Sequence, residues 1–110
     1  MAKRKAAKKA AVKARASAPK DRPVLVCTDR RGVFFGYAQD TTGDVIHLRS
    51  CRMAMYWANK AGVLSLAEVG PQTGSRISGR ADTEVRLVTA VAEVTPAAVA
   101  AWEAFPNYGG

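Results

Sequence analysis

The positive charge of this chain is confined to one end. Nine of its 17 lysines and arginines lie in residues 1–22 (Lys3, Arg4, Lys5, Lys8, Lys9, Lys13, Arg15, Lys20 and Arg22), where Asp21 is the only acid. That segment carries the whole formal net charge of +8, because the eight basic residues that follow meet eight acidic ones. Val12 is the only large apolar side chain between Ala2 and Ala18. Such a stretch cannot bury enough apolar surface to offset the entropy lost on ordering it. Residues 1–22 are therefore expected to form a disordered basic tail. Alanine and lysine are good helix formers, so the tail is expected to turn helical where phosphates neutralise it. Pro19 and Pro23 bracket a linker, and residues 23–110 are expected to fold as one neutral domain. A chain of 110 residues, 48% of them hydrophobic, supplies one core and not two.

No run of apolar residues is long enough for a membrane-spanning helix. No apolar stretch follows the basic start, so a secretory signal is not expected there. The tail's one serine, Ser17, among many lysines fits a mitochondrial transit peptide poorly. Cys27 and Cys51 fall in separate predicted strands and read as reduced, buried small side chains.

The body alternates short strand-like runs with turn signals. Residues 23–28 form a β-rich run, and residues 29–32 a turn. Residues 33–39 place Val33, Phe35 and Tyr37 on one face, with Gly36 at a bend or bulge. Residues 40–44 read as a hairpin turn. Residues 45–50 put Ile46 and Leu48 on one face and His47 and Arg49 on the other, and residues 51–57 continue the strand. Residues 64–69 fit a single helical turn closed by Gly70 and Pro71. A loop follows over residues 70–79, with a short strand near Ile77. Residues 84–94 read as one long strand. Thr95 before Pro96 is a helix start, with a hydroxyl N-cap and proline in the first helical position. That helix runs to about Phe105, and Pro106 ends it. Strands this short and closely spaced predict a mainly β, α+β fold: a small SH3-like or Sm-like barrel, or a rolled antiparallel sheet with a short C-terminal helix.

The inventory argues against catalysis. His47 is the only histidine and has no acid beside it in sequence. The two cysteines lack zinc-site spacing. The glycines of residues 70–79 lack the lysine and the strand-to-helix setting of a phosphate-cradling loop. Ser65, Ser75 and Ser78 have no visible base. No catalytic residue, metal site or cofactor is expected. The nine tail cations are the candidate polyanion site, because lysine and arginine neutralise phosphates and release counterions without reading bases. A second candidate groups Arg49, Arg52, Tyr56 and Trp57 with Arg30 and Arg31 of the preceding turn, since interleaved arginines and aromatics can stack bases and clamp phosphates. The same aromatics, with Met53 and Met55, are equally the material of a core or an oligomer interface.

Four segments carry a family likeness: Gly32-Val33-Phe34-Phe35-Gly36, Cys51-Arg52-Met53-Ala54-Met55-Tyr56-Trp57, Leu64-Ser65-Leu66-Ala67, and residues 70–78. Over residues 24–102 the chain resembles a group of small bacteriophage and prophage proteins classed as DUF6948. Where those relatives carry Arg-Arg-Ile-Trp, this chain has Arg52-Met53-Ala54-Met55. The lysine/alanine tail is an addition to the family pattern. The resemblance implies viral origin and supplies neither a catalytic residue nor a ligand.

Three function classes follow. The first is a phage accessory protein that holds nucleic acid, DNA more than RNA, through its tail, with the body as anchor or homo-oligomerisation module. The second is a virion protein, capsid-associated or a cement protein, whose arm lies on an acidic protein surface. The third is a host-defence inhibitor that sequesters a nucleotide or a host protein in a pocket lined by Arg52, Tyr56 and Trp57. All three place the protein in the host cytoplasm during infection or in the virion, and not in a membrane.

Overall fold

The computed structural model describes residues 21–29 and 31–109. Tail residues 1–20, and Arg30 of the β1–β2 turn, lie outside them. Among the described residues the order is β1 (Arg22–Thr28), β2 (Val33–Ala38), β3 (Val45–Tyr56), α1 (Ser65–Glu68), β4 (Arg76–Ile77), β5 (Ala81–Arg86), β6 (Val88–Glu93) and α2 (Pro96–Ala104). The six strands are antiparallel in the order β4-β3-β2-β1-β6, and β5 pairs with β3 beside β2 and β4. The sheet is rolled and not closed, so of the architectures expected from sequence the rolled sheet with a C-terminal helix is the one adopted.

The roll gives the sheet two buried faces. Val24, Val26, Ala38, Ile46, Leu48, Cys51 and Val85 fill its inside. On the other face Leu25, Val33, Phe35, Tyr37, Ala54 and Ile77 pack against Leu66 and Ala67 of α1 and Ala98, Val99 and Trp102 of α2. This is why β1 reads as an unbroken apolar run: alternate residues of a strand point to opposite faces, and both faces are covered. Phe35 stacks on Trp102 with ring centroids 5.0 Å apart and planes at 9°. The Trp102 indole N–H donates to the Leu66 carbonyl at 2.9 Å, locking α2 onto α1.

Thr95 caps α2 as its sequence indicates, its hydroxyl accepting from the Ala98 N–H at 3.1 Å, with Pro96 next. The same hydroxyl donates to the Glu68 carbonyl, and the Thr95 N–H to the Ala67 carbonyl, so one residue starts α2 and docks it on α1. Buried Asn59 organises the segment before α1. Its amide donates to the Ser65 hydroxyl and the Gly70 carbonyl and accepts from the Gln72 N–H.

Two departures from simple alternation shape the roll. The first is a bulge at Ser50 (φ +50°), where β3 has one residue more than either neighbouring strand. Asp82 accepts the Ser50 N–H at 3.0 Å. Opposite it, a Cβ on Gly36 would stand 3.0 Å from the Leu48 Cβ and 3.2 Å from the Arg49 carbonyl oxygen, so the strands approach where only glycine fits comfortably. The extra residue reverses the parity of β3. Ile46 and Leu48 face the inside of the roll, then Cys51 takes that face while Arg52 and Ala54 turn toward the helices.

The second departure corrects the single strand expected over residues 84–94. Leu87 (φ +57°) divides it into β5 and β6. β5 pairs with β3 and β6 with β1, and one straight strand could not serve both partners. The kink is held by the Asp29 N–H, which donates to the Leu87 carbonyl at 3.1 Å.

Cys27 packs on the helix side and Cys51 inside the roll, and both are free thiols. Burial pushes the Cys51 thiol up to about 11, against a smaller opposing effect from its hydrogen bond with Thr83. A thiol whose folded pKa exceeds its unfolded one favours the native state fully below the unfolded value of 9.0 and loses that contribution as pH rises from there to about 11. Native Cys51 is therefore expected to resist alkylation at pH 8 and to react at the normal thiol rate in denaturant. Mass spectrometry of the labelled protein checks this, and rapid native labelling of Cys51 would contradict its place in the core.

A candidate nucleic-acid interface

The sequence-predicted residues divide into three places. Of the nine tail cations only Arg22 is described, and it opens β1. Its guanidinium pairs with the Glu93 carboxylate and donates to the Thr41 hydroxyl, so it fastens the first strand to β6 and to the β2–β3 loop. Beside it the Asp21 carboxylate, fully covered, lies 3.2 Å from Nε of Arg49. These two side chains, with Gln39, Asp40 and His47, line a cleft of about 270 Å³ where the tail meets the body. That falls just short of the ~300–1,000 Å³ common for small-molecule sites. His47 is exposed and stands 3.6 Å from Glu84 across the β3–β5 ladder, an acid that its own strand does not supply.

Arg52 is fully buried, which removes it from any surface shared with Tyr56 and Trp57. The parity reversal at Ser50 moves it off the face of Ile46 and Leu48, inside the roll, and onto the helix side. Its Nε donates to the Ser78 carbonyl at 2.9 Å, one terminal nitrogen to the Trp102 carbonyl, and the other to Asn107 Oδ1 at 2.9 Å. One side chain thus ties β3 to the loop after β4, to the end of α2 and to the C-terminal segment. α2 has no basic residue in its last turn. The charge that its C-terminal carbonyls favour comes from Arg52 and from Arg80, which donates to the Glu103 carbonyl at 2.7 Å. Arg80 also pairs with the Glu103 carboxylate at 3.0 Å, and the Tyr37 hydroxyl donates to the same carboxylate.

Trp57 is half-buried against the helix-side core, and Arg31 lies exposed in the β1–β2 turn with φ +64°. The six residues grouped from sequence therefore do not form one surface: Arg49 pairs with Asp21, Arg52 and Trp57 turn inward, and Arg30 lies outside the described residues.

Tyr56 stays on the surface, 53% exposed, with partners that sequence reasoning passed over. Across the β3–β4 ladder it faces Arg76, whose guanidinium carbon lies 5.6 Å from the Tyr56 ring centroid. The same carbon lies 5.3 Å from the centroid of Tyr108, itself 57% exposed. Tyr108 is placed by its N–H, which donates to the Ile77 carbonyl at 2.8 Å, beside Asn107 in the grip of Arg52. Arg22, Arg49, Arg80 and Arg86 each pair with a carboxylate. Arg76 is held instead by two π faces and pairs with no carboxylate among the described residues. No local motif announces this trio: strand register brings Arg76, from a glycine- and serine-rich stretch, to Tyr56, and a backbone bond to Ile77 brings Tyr108 from near the end of the chain.

Among the described residues no cluster of histidine, cysteine and acidic side chains could hold a metal ion, and no helix is long and apolar enough to cross a membrane. No curated protein and no solved structure matches the chain. A family model, the domain of unknown function DUF6948, matches residues 21–102, the rolled sheet and most of α2 but not tail residues 1–20. On that match the chain belongs to the DUF6948 family.

Proposed function

We propose that this protein is a non-enzymatic phage or prophage accessory protein that holds nucleic acid through its basic tail, with the rolled sheet as its folded anchor. One observation carries the reading: the whole net charge of +8 lies in residues 1–22, ahead of a body in which bases and acids balance. A basic fold would spread its charge over a surface. Eight of the nine tail cations precede the family domain, and Arg22, within it, pairs with Glu93. The eight cations from Lys3 to Lys20 are the ones this reading assigns to phosphates. Contacts of this kind give affinity without sequence preference.

The test is fluorescence anisotropy with a labelled duplex, using the full chain and a variant with Lys3, Arg4, Lys5, Lys8, Lys9, Lys13, Arg15 and Lys20 replaced by glutamine. If about six cations engage, affinity should fall roughly a thousandfold between ~50 and ~200 mM salt, and the neutralised variant should lose most of both the affinity and the slope. Unchanged duplex affinity in that variant would sink the proposal. Binding to purified acidic protein in place of DNA would assign the tail to a protein partner.

A further inference from the structure

From the Tyr56–Arg76–Tyr108 trio we infer a second binding site on the folded body, a platform for the unpaired bases of a single nucleic-acid strand. The inference deepens the nucleic-acid reading and rests on it. The two rings flank one guanidinium, and more than half of each tyrosine remains open to solvent. A ring that gives one face to a cation still has another on which a base can stack. The guanidinium keeps its N–H donors, with no carboxylate among the described residues to occupy them, and these suit a phosphate. Two stacking surfaces around one positive charge match the order base, phosphate, base along a single strand. A duplex cannot use the platform, because its bases are already stacked on one another. Stacking on aromatics is also tolerant of sequence, which accords with the unspecific contacts of the tail.

The trio is held in place before any ligand arrives. Tyr56 and Arg76 are paired across the β3–β4 ladder, and Tyr108 is pinned by the Ile77 carbonyl. Along β3, Tyr56 lies seven residues beyond Arg49 at the tail root, roughly 23 Å at about 3.3 Å per residue. A tail of 20 residues has a contour of at most ~70 Å, so one bound strand can meet both sites. The second contact then gains from the high local concentration set by the first.

The experiment compares a labelled oligothymidine with a duplex of equal length, using the full chain in four forms: wild type, Tyr56→Ala/Tyr108→Ala, Tyr56→Phe/Tyr108→Phe, and the tail-neutralised variant. The alanine pair should lower single-strand affinity roughly five- to a hundredfold while duplex affinity and salt slope hold. The phenylalanine pair should retain wild-type single-strand affinity, because the rings remain. The tail-neutralised chain should lose duplex binding and still prefer the single strand. Circular dichroism confirms that both pairs fold, as expected for exposed side chains. Equal single-strand affinity of the alanine pair and wild type, or an equal loss on duplex, would overturn the platform and leave the tail reading standing. Duplex affinity that survives tail neutralisation would overturn the tail reading alone, and no binding of either polymer by wild type would overturn both.

Discussion

Replacing Arg52 by alanine is expected to cost the domain ~3–5 kcal/mol, the scale for a large-to-small change at a fully buried site together with the hydrogen bonds it unmakes. The side chain is fully buried, and its guanidinium donates to the Ser78 and Trp102 carbonyls and to Asn107. Truncation opens a cavity and strands the buried Trp102 carbonyl, where an unmade hydrogen bond costs about 1–3 kcal/mol, and it unties the Ser78 carbonyl and Asn107 nearer the surface. Arg52→Met should restore packing but not the acceptors, so it should recover only part of the loss. Arg52→Lys should also fail, because a single ammonium cannot present a planar fork to three acceptors in different directions. In a domain of this size 1 kcal/mol moves the thermal midpoint by about 4–8 °C, so the alanine variant should melt at least ~10 °C lower. Urea unfolding of the three variants beside wild type measures this. A loss under ~1 kcal/mol for Arg52→Ala would mean that the arginine is dispensable to the fold, and its place as the knot of the C-terminal half would have to be given up.

This residue also marks the limit of what could be read from the sequence. Helix starts and hairpin turns are written locally. Thr95 before Pro96 announces α2, and the Asp40–Thr42 turn joins β2 to β3, with the Thr42 hydroxyl and N–H holding the Asp40 carboxyl below its usual range. The alternation of Val33, Phe35 and Tyr37 places those side chains on one face, and the helix-side core contains all three. Parity fails as a guide beyond Ser50. Nothing in residues 45–56 shows that one residue will be extruded there, because the bulge depends on Asp82 and Gly36, which lie far away in sequence. Plain alternation would set Arg52 with Ile46 and Leu48 inside the roll, among apolar side chains that offer a cation no acceptor. Its charge therefore makes it read as a surface residue beside Tyr56 and Trp57. The one-residue shift turns it instead toward the helices and the carbonyls that accept from it. Leu87 hides its kink in the same way. Its residue type favours no left-handed conformation, and the turn is imposed by a ribbon that must serve both β3 and β1. The exposed trio escapes notice for a related reason: Tyr56, Arg76 and Tyr108 are separated by 20 and 32 positions and meet only through the β3–β4 register and the Tyr108 bond to the Ile77 carbonyl.

Trp102→Ala is expected to be as damaging as the loss of Arg52, by ~3–5 kcal/mol, because a fully buried indole leaves a large cavity. Trp102 is the contact through which α2 grips the sheet, by its stack on Phe35, and grips α1, by its bond to the Leu66 carbonyl. Trp102→Phe separates the two effects. It keeps a ring against Phe35 but leaves the Leu66 carbonyl without its donor, so a loss of about 1–3 kcal/mol would belong to that bond and to the smaller volume. Because the Trp102 carbonyl also accepts from Arg52, the two residues should not act independently. The Arg52→Ala/Trp102→Ala chain should cost less than the sum of the single losses, since whichever change comes first already loosens the end of α2. Strict additivity in urea unfolding would show that the two anchors act separately. The same variant separates the two binding sites by a different physical criterion. Phosphate contacts by the tail, as proposed, are a matter of charge in sequence, whereas the proposed platform exists only while β4 and the C-terminal segment hold Arg76 between its rings. Above the midpoint of Trp102→Ala, but below that of wild type, the variant should therefore still bind duplex with a steep salt slope and should have lost its preference for the single strand.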